Sequence, residues 1–152
     1  MLELMVAAKL FLTKPRTEVG INRAKLEARF GPPMGIGTDY VPSPTNAGTK
    51  DNVVTLEWPD LRVRLYVASA TSIVSLLGVT TTSDVLKLDS PVHVGVDRGT
   101  VLRELGGPLY EDGDQIVYSL KEDGDDLPND TVRLVFKDDH VVGIDWTYPL
   151  ER

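Results

Sequence analysis

The chain has 152 residues, enough for one domain or two small ones, and its 41% hydrophobic and 26% charged content suits a globular protein with a sizeable core. It has no cysteine, which excludes a disulfide framework, thiolate zinc sites and a cysteine nucleophile. The net charge of −7 is uneven: residues 1–76 hold 9 basic and 7 acidic groups, whereas residues 77–152 hold 7 and 16. That imbalance repels nucleic acid and anionic membranes and favours a basic protein partner, or else serves only as a solvated surface.

The opening "MLELMVAAKLFLTKP" has no basic start, is interrupted by Lys9 and lacks a small-residue cleavage site, so it reads as part of the fold rather than as a signal peptide. With no lipobox either, the expected location is cytoplasmic, or periplasmic if the natural start differs from the one given. No apolar run is long enough to span a membrane. Within the opening, "KLFLTKP" is a lead-in segment that suits either a strand or a short helix.

"GINRAKLEARFGPP" (20–33) reads as a two-turn helix with punctuation at both ends. Asn22 is the N-cap, Ile21 and Leu26 form a staple, Phe30 extends the apolar stripe, Gly31 terminates and Pro32 and Pro33 block. The glycines of "GPPMGIG" (31–37) follow a helix end, whereas a phosphate-binding loop precedes a helix start, so this stretch reads as a loop. "VPSPTNAGTKDN" (41–52) reads as a polar, mobile connection. Three strands follow, at 52–58, 61–67 and 72–79. In the second, Leu61, Val63, Leu65 and Val67 alternate with Arg62, Arg64 and Tyr66.

The order then recurs. "VLKLDSP" is a second lead-in, and "GVDRGTVLRELGGP" (95–108) repeats the helix slot for slot. Asp97 caps, Val96 and Val101 staple, Leu102 and Leu105 continue the stripe, Gly106 ends it and Pro108 prevents resumption. Strands follow at 115–120, 131–136 and 140–148, with "VRL" at both 63–65 and 132–134. Helices this short need an apolar surface to lie on. The fold class expected is therefore α+β: two tandem helix-plus-antiparallel-sheet units, residues 1–80 and 81–152, merged into one layer with the helices on one face.

The paired signature is carried by Gly20, Arg23, Leu26, Phe30, Gly31 and Pro33, and again by Gly95, Arg98, Val101, Leu105, Gly106 and Pro108. It resembles the SmpA/OmlA-like repeat of bacterial envelope lipoproteins. In tandem, it is most similar to the β-lactamase inhibitor protein family. That resemblance implies doubled helix-plus-sheet units that present a concave sheet surface to a target enzyme, and a non-catalytic binding role. The departures are the missing disulfides and the missing lipidated cysteine, and no target-binding loop aligns.

Candidate chemistry is sparse. His140 lies beside Asp138 and Asp139 in a polar turn, and His93 precedes the repeat glycine. A metal site or an acid–base pair at His140 competes with a plain hairpin turn. No HExxH, GxSxG, P-loop or zinc spacing occurs. "EDGD" appears at 111–114 and 122–125, where calcium-loop spacing is absent and turns flanking a strand suffice. "NDT" (129–131) matches a glycosylation acceptor and equally a turn. Trp146 and Tyr148 share a face with Val142 and Ile144 and read as core.

A sheet face bearing Tyr and Arg has the composition of binding hot spots, although it also suits a solvated sheet side. The expected partner-binding set is Arg62, Arg64, Tyr66 and Arg133, extended by Asp112, Asp114, Asp123, Asp125 and Asp126. The function expected is an inhibitor or immunity-type protein that occludes a basic partner protein, with no catalysis, cofactor, metal or nucleic acid. Two alternatives stand beside it: an envelope assembly or maintenance module without a lipid anchor, and a metal protein or enzyme that uses His140 and the nearby aspartates.

Overall fold

The computed structural model describes residues 2–44, 46–119 and 129–150, with side chains from residue 6 onward. The elements in order are α1 (Leu2–Glu18), α2 (Arg23–Phe30), β1 (Gly35–Pro42), β2 (Lys50–Trp58), β3 (Leu61–Val67), β4 (Val74–Thr81), a single 3-10 turn (Asp84–Leu86), α3 (Arg98–Leu105), β5 (Tyr110–Glu111), β6 (Gln115–Ser119), β7 (Thr131–Lys137) and β8 (His140–Thr147). The strands form one eight-stranded sheet in the order β1-β2-β3-β4-β8-β7-β6-β5, and every neighbouring pair is antiparallel. The α+β class with a single antiparallel sheet follows directly.

The two short helices form as their sequences dictate. Asn22 accepts the Lys25 N–H at 3.0 Å and Asp97 accepts the Thr100 N–H at 2.7 Å, so each N-terminus has a satisfied donor. Gly31 and Gly106 close the helices at φ 84° and 83°, a region that disfavours residues with a Cβ, and donate their N–H groups to Glu27 O and Leu102 O. Each closing carbonyl is then tied to the sheet. The Trp58 indole N–H donates to Gly31 O at 2.7 Å, and the Tyr118 hydroxyl donates to Gly106 O at 2.8 Å. The apolar stripes, through Leu26, Val101 and Leu105, enter a single core cluster with Leu56, Val63, Val79, Ile116, Val132 and Leu134.

The strand order is mirrored about the β4–β8 junction. Gly35 faces Glu57 and Tyr110 faces Val117 in matching outer pairs. Both inner hairpins carry a register shift, at Arg64/Leu65 and at Val135/Phe136. At the centre, Thr80 faces Asp145, flanked by Val79 opposite Trp146 and Thr81 opposite Ile144. In that mirrored strand order Thr80 and Asp145 are counterparts, and the Thr80 hydroxyl donates to the Asp145 carboxylate at 2.8 Å. Gly78 permits the close approach here, since a Cβ would sit 2.8 Å from Trp146 O.

Several expectations change. Each half contributes four strands rather than three, because β1 forms over 35–42, overlapping the expected loops 31–37 and 41–52, and β5 precedes β6. The third strand of the first half runs over Val74–Thr81 rather than 72–79. The lead-ins are not equivalent: "KLFLTKP" belongs to a 17-residue helix, whereas "VLKLDSP" contains only the 3-10 turn. Register makes Arg133 the counterpart of Arg62, two residues away from the alignment of the "VRL" triplets. The bulge in β8 also turns Val142 out to 39% exposure, while Val141, Ile144, Trp146 and Tyr148 are buried.

Helix α1 packs across the second half rather than its own. Pro15 lies inside it and supplies no N–H for Phe11 O. The Trp146 indole N–H donates to that oxygen at 3.1 Å, and the Tyr148 hydroxyl donates to Leu12 O at 2.7 Å. Phe11 and Leu12 are buried against this aromatic pair, with the Phe11 and Trp146 rings 5.3 Å apart. Arg16 completes the junction by binding both oxygens of Asp130 and lying 4.2 Å over the Tyr148 ring.

Candidate protein-binding face

All three helices lie on one side of the sheet. On the other side the register lines residues into rows that run across the sheet. One row reads Gly35, Glu57, Arg62, Thr80, Asp145, Arg133, Val117 and Tyr110 from edge to edge. The next reads Gly37, Thr55, Arg64, Gly78, Thr147, Thr131 and Ser119. This face is therefore rich in hydroxyls, with three arginines standing on it.

The arginines differ in how far they are neutralised. Arg62 pairs with Glu57 at 2.9 Å and Arg133 with Asp145 at 3.6 Å, each with more than half its side chain exposed. Arg64 is exposed and has no ion pair among the described residues. Exposed pairs of this kind hold their partners weakly, so all three guanidinium groups can be offered to a ligand carboxylate or carbonyl.

Tyr66 does not join them as an exposed anchor. It occupies the same side of β3, but it is 7% exposed, and its hydroxyl donates to Asp51. The Asp51 carboxylate also accepts the Ser69 N–H at 2.9 Å. The Tyr66 hydroxyl, then the Ser69 N–H, hold the Asp51 carboxyl below its ordinary value, and the same bond pushes the Tyr66 hydroxyl up to about 12. The aromatic residue that this face does present is Tyr110, half exposed at the β5 edge. Its position depends on a two-residue strand after a Gly-Gly-Pro stop, so no alternating pattern marks it.

The first acidic loop is also a structural turn. Asp112 accepts the N–H groups of Asp114 and Gln115 and the hydroxyl of Tyr110. The Tyr110 hydroxyl, followed by those N–H groups, lowers the Asp112 pKa, and the Tyr110 pKa rises in return. Arg98 closes the turn from beneath. It pairs with Glu111 at 3.0 Å and Asp139 at 2.9 Å, donates to the carbonyls of Asp112 and Gly113, and lies 4.4 Å from the centre of the Phe136 ring. Hydrogen bonding to Thr100 lowers the Asp97 pKa beside it. The turn precedes β6 at Gln115, whereas residues 120–128 follow its other end at Ser119. Asp123, Asp125 and Asp126 fall outside the described residues.

His140 sits at the start of β8, exposed, with Nδ1 2.9 Å from Asp138 O. Among the described residues no group of three or more His, Asp or Glu is placed to hold a metal ion. No helix among them is long and apolar enough to cross a membrane. Fold and face together define an α+β protein with a single half-covered antiparallel sheet. No family model, curated protein or solved structure matches the chain.

Proposed function

We propose that this chain is a non-catalytic protein-binding module of the inhibitor or immunity type, which uses the helix-free side of its sheet to cover a partner. One observation carries the reading: Arg62, Arg64 and Arg133 stand on an open, hydroxyl-rich sheet face, and Arg64 lacks an ion pair among the described residues. The resemblance of its two capped-helix signatures to a doubled inhibitor repeat supports the same reading. Arginine and tyrosine on one face, here with Tyr110 at its β5 edge, form a composition enriched where partners bind tightly. The acid excess of residues 77–152 would add long-range attraction for a basic rim on the partner.

The test is affinity capture from the source cells with two baits, the native protein and an R62E/R64E/R133E variant whose folding is checked by circular dichroism. A protein retained by the first and lost from the second is the expected result, with its activity suppressed at stoichiometric inhibitor. Equal retention by both baits would remove the sheet face from the account. Charge reversal at Asp114, Asp123 and Asp125 should slow association and reduce its salt dependence without abolishing binding. Asp112 is unsuitable for that experiment because its carboxylate builds the turn.

A further inference from the structure

The two edges of the sheet are built differently. The β5 edge is two residues long and runs into the turn fixed by Arg98, so it offers little backbone to a further strand. The β1 edge runs eight residues, Gly35–Pro42, and pairs with β2 at every position without a register shift. It carries no lysine and no bulge, and its one charge is Asp39. Ile36 and Tyr40, on the helix side of β1, are 51% and 69% exposed.

The ladder geometry shows which backbone groups are open. The Ser43 N–H donates to Thr49 O at 3.0 Å, in the step that continues the Pro42–Lys50 pair. Antiparallel pairs alternate between bonded and non-bonded positions, so Gly35, Gly37, Asp39 and Val41 turn their groups to β2. Ile36, Thr38 and Tyr40 turn theirs to the free edge. Pro42, which has no N–H to offer, falls in this outward set.

We infer that β1 is a dimerisation edge: two copies pair β1 to β1, antiparallel, about a twofold axis through Thr38, joining their sheets into one. The occupant is a second copy because the strand is complementary to itself in this register alone. Centred on Thr38, the open groups of Ile36, Thr38 and Tyr40 meet those of Tyr40, Thr38 and Ile36 of the second copy. Tyr40 then lies across from Ile36 on the same face, twice, an aromatic–β-branched pair that favours strand association. Asp39 falls opposite Gly37 rather than opposite itself, so no like charges meet. Centring on Ile36 would run Tyr40 onto Pro32, and centring on Tyr40 would bring Pro42 and Pro44 into the ladder. An axis on Asp39 would set that carboxylate opposite itself, an axis on Gly37 would place Tyr40 opposite Met34, whose N–H already donates to Glu57 O at 2.8 Å, and axes on Gly35 or Val41 would bring Pro32 or Pro42 into the ladder. The contact is isologous and closes at two copies. It uses the backbone edge of β1 and none of the three arginine side chains, and it does not depend on the binding role proposed above.

Sedimentation velocity across a concentration series tests it, with the native chain, Thr38→Pro and Tyr40→Lys. Thr38→Pro removes an outward N–H and leaves the β1–β2 bonds in place. The native protein should double in mass as concentration rises, while both variants remain monomers with unchanged circular dichroism. Because the chain has no cysteine, a short bis-maleimide should link Thr38→Cys into dimers and leave Ala70→Cys, on the β3–β4 hairpin off the proposed axis, as monomer. R62E/R64E/R133E should dimerise as the native chain does. A native protein that stays monomeric to millimolar concentration overturns the proposal. So does a dimer that neither variant weakens, or a β1 edge that captures only a strand from another protein.

Discussion

Arg23 and Arg98 occupy the same slot, one residue after the helix cap, in the two halves of the molecule. Among the described residues Arg23 pairs only with Glu27 on its own helix, at 3.1 Å, and half its side chain faces solvent. Arg98 is 17% exposed and gathers a turn, a hairpin and an aromatic ring around itself. The neighbours account for the difference. The β7–β8 hairpin supplies Asp138 and Asp139, whereas the β3–β4 hairpin, residues 68–73, contains no acidic residue. A shared local signature therefore fixes the helix but leaves the function of its arginine to tertiary partners.

The contrast between halves can be broken most severely at the β4–β8 junction, where Trp146 and Thr81 lie one step to either side of the Thr80–Asp145 pair. Trp146→Ala empties the socket for α1 and should cost about 3–5 kcal/mol. Thr81→Ala forfeits hydrogen bonds to Asp60 O and Ser83 O and should cost about 1 kcal/mol. Urea unfolding midpoints for both variants measure the gap, and equal losses would mean that α1 contributes little to the core.

Next in size is the arginine pair itself. Arg98→Ala strands two carboxylates and two carbonyls and should cost about 2–3 kcal/mol, while Arg23→Ala should stay below about 0.5 kcal/mol. Amide exchange should quicken over residues 111–115 in the first variant only. The caps offer a control in which the halves should agree, because Asn22→Ala and Asp97→Ala should each remove about 1 kcal/mol. A large disparity there would mean that one helix is held by something other than its cap.

The smallest effect separates the halves by pH. Asp97 and Asp112 have lowered carboxyl pKa values, so the stability they add is complete above the ordinary carboxylate range. It is lost as pH falls below about 4 and through their depressed values. Asp51 contributes in the same sense from the first half. The first helix is capped by Asn22, which does not titrate. Asp97→Asn should keep the cap and flatten the acid limb of stability against pH, and Asn22→Asp should steepen it. Chemical denaturation at pH 7 and pH 3 reads both slopes.

What the sequence disclosed follows the range of the forces involved. Caps, stops and the alternation of Leu61–Val67 act over a few residues, and α2, α3 and the strands that carry them were legible. Strand β1 was not, because "GIGTDYVP" takes its conformation from pairing with β2 rather than from its own composition. Val142 was assigned to the core by strict alternation, which a bulge interrupts. Arg62, Arg64 and Arg133 were legible as a face, but the burial of Tyr66 depends on Asp51 and Ser69, which meet it only in the folded chain. Loop 111–114 showed its charge in the sequence and concealed the guanidinium inside it.

The Thr80–Asp145 contact has a further consequence. A residue sitting on a twofold axis meets its own image, so identical subunits could offer there only two hydroxyls or two carboxylates. Two aspartates would repel one another, and two threonines would leave Arg133 without its counter-ion. Carrying both halves on one polypeptide lets the central position be heteropolar, donor against acceptor, a choice that a symmetric assembly of separate copies does not have.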